Sequence, residues 1–210
     1  MPSETPPPGP AALATHHQAV GRLAEAVARE LGLPEPEIRL AKLTAEFHDI
    51  GKSEIPDAIL DKRGALTANE WEAMERHTLI GEQILSVAPG LRSIAPLVRS
   101  THERVDGNGY PDGLRGDGIP LSSRIVAVVD AYDAITTGRP YRGRRGSAQA
   151  IDELRRCSGS QFDPDAVAAL VAVCERHDNT VWRSAQPGRC RPRSSSNAVL
   201  PDAILDIPTG

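Results

Sequence analysis

Ala45-Glu-Phe-His-Asp-Ile-Gly-Lys52 is the stretch on which the reading of this chain turns. Leu40, Leu43, Phe47 and Ile50 recur at helical spacing through it, so a helix is expected from about Pro36 to Gly51, a residue suited to a left-handed cap. His48 and Asp49 then fall in the last turn and offer an imidazole and a carboxylate to one point. A carboxylate buried there needs a cation, a metal or hydrogen-bond donors. Lys52, three residues on, is the simplest partner. A metal becomes the stronger reading once other His and Asp residues converge on the same place.

Toward the N-terminus, Leu13, Val20, Leu23, Val27 and Leu31 predict a helix over 11–31, stopped by Gly32 and Pro34. His16 falls on its apolar face, whereas His17 is turned by about 100° on helical geometry and is expected to face solvent. Residues 1–10 hold five prolines and read as a flexible arm.

Toward the C-terminus, 53–65 reads as a loop with a short helical turn near Pro56–Leu60. Thr67-Ala-Asn-Glu70 is a capping box that starts a helix with Trp71, Met74, Ile84 and Leu85 inward and His77 on the same stripe. A short apolar helix from Leu91 to about Thr101 delivers His102 and Glu103. The stretch 106–120 packs five glycines and two prolines into fifteen residues, which makes a shaped loop that can approach a ligand closely. Ser122 or Ser123 is expected to cap a long helix bearing Ile125, Val128, Val129, Tyr132 and Ile135 and ending at Gly138. Asp130 and Asp133 interrupt that run, and Asp130, beside Val129, is the better metal candidate. Arg139-Pro-Tyr-Arg142-Gly-Arg144-Arg145 is the densest positive charge, either a solvated loop or an anion-binding wall. Helices over 147–157 and 164–177 follow, the second with Asp163 as N-cap and Pro164 at its first position.

Composition narrows the function classes. A net charge of −4 and a pI near 5.9 indicate neither a nucleic-acid polymer nor an anionic membrane as partner. Three scattered cysteines make no disulfide framework or zinc ribbon, and no signal peptide or membrane-length apolar run is visible, so a cytoplasmic protein is expected. The domain reading is an arm at 1–10, one folded domain at 11–179 and a disordered Ser-, Pro- and Arg-rich tail at 180–210.

His16, His48, Asp49, His77, His102 and Asp130 come from five different elements. Six nitrogen and oxygen donors suit one metal, or two if Asp49 bridges. Imidazole and carboxylate without thiolate favour iron, manganese, nickel or zinc over calcium. Hydrolysis of a phosphate ester is the chemistry such a pair performs best.

In order and spacing, His16, His48-Asp49-Ile-Gly-Lys52, His77, His102-Glu103, Asp106-Gly-Asn-Gly109-Tyr110-Pro111, Asp130 and Arg139-Pro-Tyr-Arg142 resemble the HD-GYP domain, a branch of the HD metal-dependent phosphohydrolases. The resemblance covers roughly 11–175. It implies an all-α bundle of about six to eight helices with a long Gly-rich loop, and hydrolysis of cyclic di-GMP to pGpG, GMP or both by a metal-bound hydroxide. It implies His16, His48, Asp49 and Asp130 as ligands of one divalent ion and Asp49, His77 and His102 as ligands of a second, with iron or manganese first and zinc or nickel next. Asp49 and Lys52 are then catalytic, and Gly109, Tyr110, Arg139 and Arg142 bind substrate. Two positions depart from the family pattern: Thr101 stands where a histidine is usual, and Ala12 where three-metal members carry glutamate. Two metals are therefore expected rather than three. The alternatives are a degenerate module that binds cyclic di-GMP or a signalling protein partner with little turnover, and an HD-type hydrolase of another nucleotide.

Overall fold

The computed structural model describes residues 10–62, 64–137 and 146–177. Over them the chain is all-α: α1 (Pro10–Glu30), α2 (Glu35–Phe47), α3 (Asp57–Leu60), α4 (Ala68–Glu75), α5 (His77–Val87), α6 (Ala95–Arg99), α7 (Leu121–Thr137), α8 (Ser147–Arg156) and α9 (Pro164–His177). Without the single-turn α3 there are eight, the upper end of the expected number. Short 3₁₀ segments lie at Ile50–Glu54, Arg92–Ile94 and Gly116–Gly118. The expected arm and the tail fall outside the described residues except for Pro10, which opens α1, where its missing N–H costs nothing.

The main core gathers Val20, Leu23 and Val27 of α1, Ile125, Val128, Val129, Tyr132 and Ile135 of α7, Leu154 of α8 and Leu170 of α9. All five apolar positions read from the α7 pattern are thus inside. A second, smaller cluster holds Leu85, Ile94, Ala95 and Val98. Between the two stands α2. Its Ile38, Ala41 and Ala45 enter the main core, while Leu40, Leu43 and Phe47 pack on the second cluster. Each set follows i, i+3, i+7, and the two stripes lie on opposite sides of the helix. Each buried Leu, Ile or Val contributes about 1.5–3 kcal/mol by leaving water, so α2 is gripped from both sides directly before His48.

The structure revises several boundaries. α2 ends at Phe47 rather than Gly51, and Asp49, at φ −99° and ψ 5°, leads into the 3₁₀ turn Ile50–Glu54. The long helix expected from Thr67 starts with its capping box but breaks at Arg76 into α4 and α5. There the side chains of His77 and Thr78 bond to the carbonyls of Met74 and Glu75 and compete with main-chain N–H groups for those acceptors. Neither serine caps α7. The helix starts at Leu121, and the buried Ser123 hydroxyl donates to the Leu97 carbonyl at 2.7 Å, tying α7 to α6. Asp163 does cap α9, accepting from the Ala166 N–H at 2.9 Å. Among the described residues no helix is long and apolar enough to cross a membrane.

Candidate metal centre

Asp49 stands in the middle of the site because of a glycine two residues later. A Cβ on Gly51 would meet the His77 carbonyl oxygen at 2.0 Å and the Gly81 nitrogen at 2.6 Å. Only a bare backbone lets the 3₁₀ turn rest directly on the first turn of α5. Gly51 therefore serves close approach, not the left-handed cap expected of it. The contact brings His77 Nε2 to 3.8 Å from Asp49 Oδ1. On the other side, His48 Nε2 lies 3.5 Å from both Asp49 Oδ2 and Asp130 Oδ1. Asp49 thus faces two histidines with two different oxygens.

The third histidine is placed by the Gly-rich loop. His102 follows α6, and its carbonyl accepts from the Tyr110 N–H at 3.2 Å. Gly109 packs onto the same backbone so tightly that a Cβ would sit 2.4 Å from the Arg104 nitrogen. This folds the Tyr110 ring over His102, with centroids 5.2 Å apart and planes 11° from parallel. The His77 ring meets His102 edge-on at 4.9 Å. One donor atom each of Asp49, His77 and His102 lie within 4.8 Å of one another.

Hydrogen bonding orients these donors. His48 Nδ1 donates to the Ala45 carbonyl and His77 Nδ1 to the Met74 carbonyl, each at 2.7 Å. That leaves Nε2 of each ring to face the centre, as a metal-ligating histidine requires. Four buried atoms, His48 Nε2, Asp49 Oδ1, His77 Nε2 and His102 Nε2, have no hydrogen-bond partner. Buried polar atoms without partners are costly, and four converging here fit a divalent ion: a lone pair on each imidazole and a carboxylate between them. The residues present suit the group.

The electrostatics agree. Burial is the largest single influence on His48 and disfavours its charge, but Asp49 and Asp130 together outweigh it and push the group up to about 9. A proton and a cation thus compete for one lone pair. Burial, reinforced by His77, drives His102 down to about 3 and keeps it neutral. His77 is lowered by burial and then by Lys52. Burial disfavours the Asp49 carboxylate too, yet His48 and Lys52 hold its carboxyl below the usual range. Lys52 Nζ lies 2.8 Å from Asp49 Oδ2.

Of the residues singled out by sequence, His48, Asp49, His77, His102 and Asp130 converge, Lys52 and Tyr110 flank them, and Gly109 shapes the loop. The side chain of His16 and the whole of Arg139 and Arg142 lie outside the described residues. His17 is not turned to solvent as expected. It is half-buried, with its ring edge-on to His48 at 6.2 Å. Thr101 is buried, and its hydroxyl donates to the Val98 carbonyl at 2.9 Å.

Glu103 was named in the motif without a role, and Arg99 was missed. Glu103 accepts the Asp112 N–H at 2.7 Å and the Leu114 N–H at 2.9 Å, closing the loop on itself. Arg99 grips the Asp112 carboxylate at 2.7 and 2.8 Å and reaches Glu82 at 2.7 Å. An acid directly before a Gly-rich loop was a signal for the first. Nothing in the sequence marked the second.

The model of the HD domain family matches residues 9–166. Among curated proteins, the cyclic di-GMP phosphodiesterase response regulator RpfG of Xanthomonas campestris is 42% identical over 156 residues, 73% of this chain and 41% of that protein. A cyclic di-GMP phosphodiesterase of Thermotoga maritima is 41% identical over 170 residues, 80% of this chain and 46% of that protein. The 3'3'-cGAMP-specific phosphodiesterase 2 of Vibrio cholerae is 39% identical over 158 residues, 74% of this chain and 30% of that protein. The chain thus spans less than half the length of these relatives. Among solved structures, Bd1817, a HDG"Y"P protein from Bdellovibrio bacteriovorus, superposes with a TM-score of 0.62 at 21% identity, over 78% of this chain and 52% of that one. The HD domain of the Listeria monocytogenes phosphodiesterase PgpH in complex with cyclic-di-AMP gives 0.57 at 18% identity, over 80% and 92%. Those two likenesses show the fold. With the family model matched over most of its length, and with His48-Asp49 and Gly109-Tyr110-Pro111 in place, the chain belongs to the HD domain family and carries the motifs of its HD-GYP branch.

Proposed function

We propose that this chain hydrolyses the phosphodiester bonds of cyclic di-GMP, giving pGpG, GMP or both. The observation that carries the reading is the convergence of three histidine Nε2 atoms and one carboxylate oxygen, all buried and unpartnered. His16, His48, Asp49 and Asp130 would hold one divalent ion and Asp49, His77 and His102 the second. Iron or manganese is the first expectation, zinc or nickel the next. Relatives named for cyclic di-GMP and for 3'3'-cGAMP support a cyclic dinucleotide as the substrate class.

When bound, the ions supply Lewis acidity toward a phosphate oxygen. The protein's own residues do the rest. Asp49 would serve both ions. Lys52, with its side chain 38% exposed at the rim, can turn from Asp49 to the substrate. Its Nζ donates a proton to the departing ribose oxygen as water adds to phosphorus and that P–O bond breaks, and the proton shed by the added water restores the charge on Nζ. Tyr110 screens one face of His102 from water. Arg139 and Arg142 hold the phosphates, for which a guanidinium fork is suited.

The test is metal content per chain together with turnover of cyclic di-GMP and 3'3'-cGAMP, on protein purified anaerobically and supplied with iron or manganese. Two metals and release of pGpG or GMP support the proposal, whereas cleavage of 3'3'-cGAMP alone moves the substrate to the hybrid dinucleotide. A second reading, a cyclic di-GMP receptor with little turnover, is favoured by Thr101, whose hydroxyl is committed to Val98. Binding without product, at one metal or none, establishes that reading.

A further inference from the structure

The geometry points to Glu103 as a positioning residue of the metal centre, one that acts on His102 by setting the Gly-rich loop so that Tyr110 lies across the ring. The inference rests on the metal-centre reading above and not on the identity of the substrate.

Glu103 is only 4% exposed and directly follows His102, so it is placed like a further ligand. Its bonds give it a different role. Oε1 accepts the N–H of Asp112 and Oε2 that of Leu114. Each oxygen accepts from a backbone donor, nine and eleven residues downstream, and the donor atoms that converge within 4.8 Å are those of Asp49, His77 and His102, without Glu103.

Those donors lie just beyond Tyr110. The near side of Tyr110 is fixed by its own N–H on the His102 carbonyl, and the far side by the Glu103 bonds. Tyr110 is therefore pinned at both ends by two consecutive residues, His102 and Glu103. Gly109, with no room for a Cβ against the 102–104 backbone, removes the remaining slack. The result is the stacked pair of rings at 5.2 Å and 11°, on a histidine whose Nε2 has no protein partner. Outer groups that orient a metal-ligating histidine commonly govern metal affinity by about 10- to 100-fold. Here the orienting group is an aromatic face, and Glu103 holds it there.

Arg99 shows that the loop has a separate outer anchor. It bonds the Asp112 side chain and Glu82 without touching the amides that Glu103 holds. Loss of Glu103 therefore leaves the loop attached to α5 and α6 while freeing the span that carries Tyr110.

The test measures Mn²⁺ dissociation constants, without substrate, for the wild type, Glu103→Gln, Tyr110→Leu and the double variant. Each single change is expected to weaken Mn²⁺ about tenfold, and the double change no more than either alone, because both act through one ring. In the metal-free protein, the His102 ring-proton resonances should shift alike in the two single variants as the Tyr110 ring current is lost. Additive effects on Mn²⁺, or a folded Glu103→Gln with unmoved His102 resonances, overturn the proposal. Should Glu103→Gln fail to fold, Tyr110→Leu decides, since it keeps the Glu103 bonds: unchanged Mn²⁺ affinity and His102 shifts refute the role. Absent cyclic di-GMP turnover in the wild type would sink the proposed activity without altering either readout.

Discussion

A Cβ on Gly51 would lie 2.0 Å from the carbonyl oxygen of His77. The distance between the Asp49 turn and α5 is therefore set by backbone meeting backbone. Gly51→Ala should force the two apart, costing about 1–3 kcal/mol as other overpacked sites do and separating Asp49 from His77. Urea denaturation and metal content per chain check this. A variant with wild-type stability and full metal content would refute the close-contact account.

Asp49 is common to both proposed ligand sets, so Asp49→Ala should abolish metal binding altogether. At Mn²⁺ one hundred times its dissociation constant, the wild type should gain about 2.7 kcal/mol of stability by linkage. The variant should gain none, and thermal melts with and without Mn²⁺ read the difference. Full metal retention would show the centre to be assigned wrongly.

Thr101→His tests the main departure from the family pattern. The added imidazole is expected to raise occupancy of the ion proposed for Asp49, His77 and His102, read as metal per chain by elemental analysis. Unchanged stoichiometry would put position 101 outside the coordination shell.

Ser123→Ala removes the bond that joins α7 to the end of α6. The Leu97 carbonyl keeps the Ser100 N–H at 3.2 Å, so the loss should stay near about 1 kcal/mol. Metal content should not move. A fall in bound metal would mean that the α6–α7 tie helps place His102.

Arg139→Ala should weaken cyclic di-GMP binding, measured calorimetrically, while leaving metal content alone. Unchanged affinity would move the phosphate site elsewhere in the chain.

Sequence periodicity revealed the helices that build the main core, because a helix buried on one side writes its apolar stripe plainly, as α7 does. The convergence of His48, Asp49, His77, His102 and Asp130 was legible from motif order. What escaped were features set by contact between distant segments. The end of α2 depends on the 3₁₀ turn meeting α5; the break at Arg76 escaped for a local reason, side chains bonding back to carbonyls three residues earlier. His17 was misjudged because helical phase alone does not say how far a neighbouring element reaches. The duty of Glu103 became visible only once the loop had closed over it.

The two-sided burial of α2 bears on how the protein tolerates change. Both apolar stripes of that helix end just before His48, so slack introduced in either core reaches His48 and Asp49 without crossing another element. A cavity made at Val128 or at Val98, far apart in sequence, should loosen the same two side chains. The candidate metal centre is thereby a common gauge for both halves of the bundle: bound metal should be lost before the fold is.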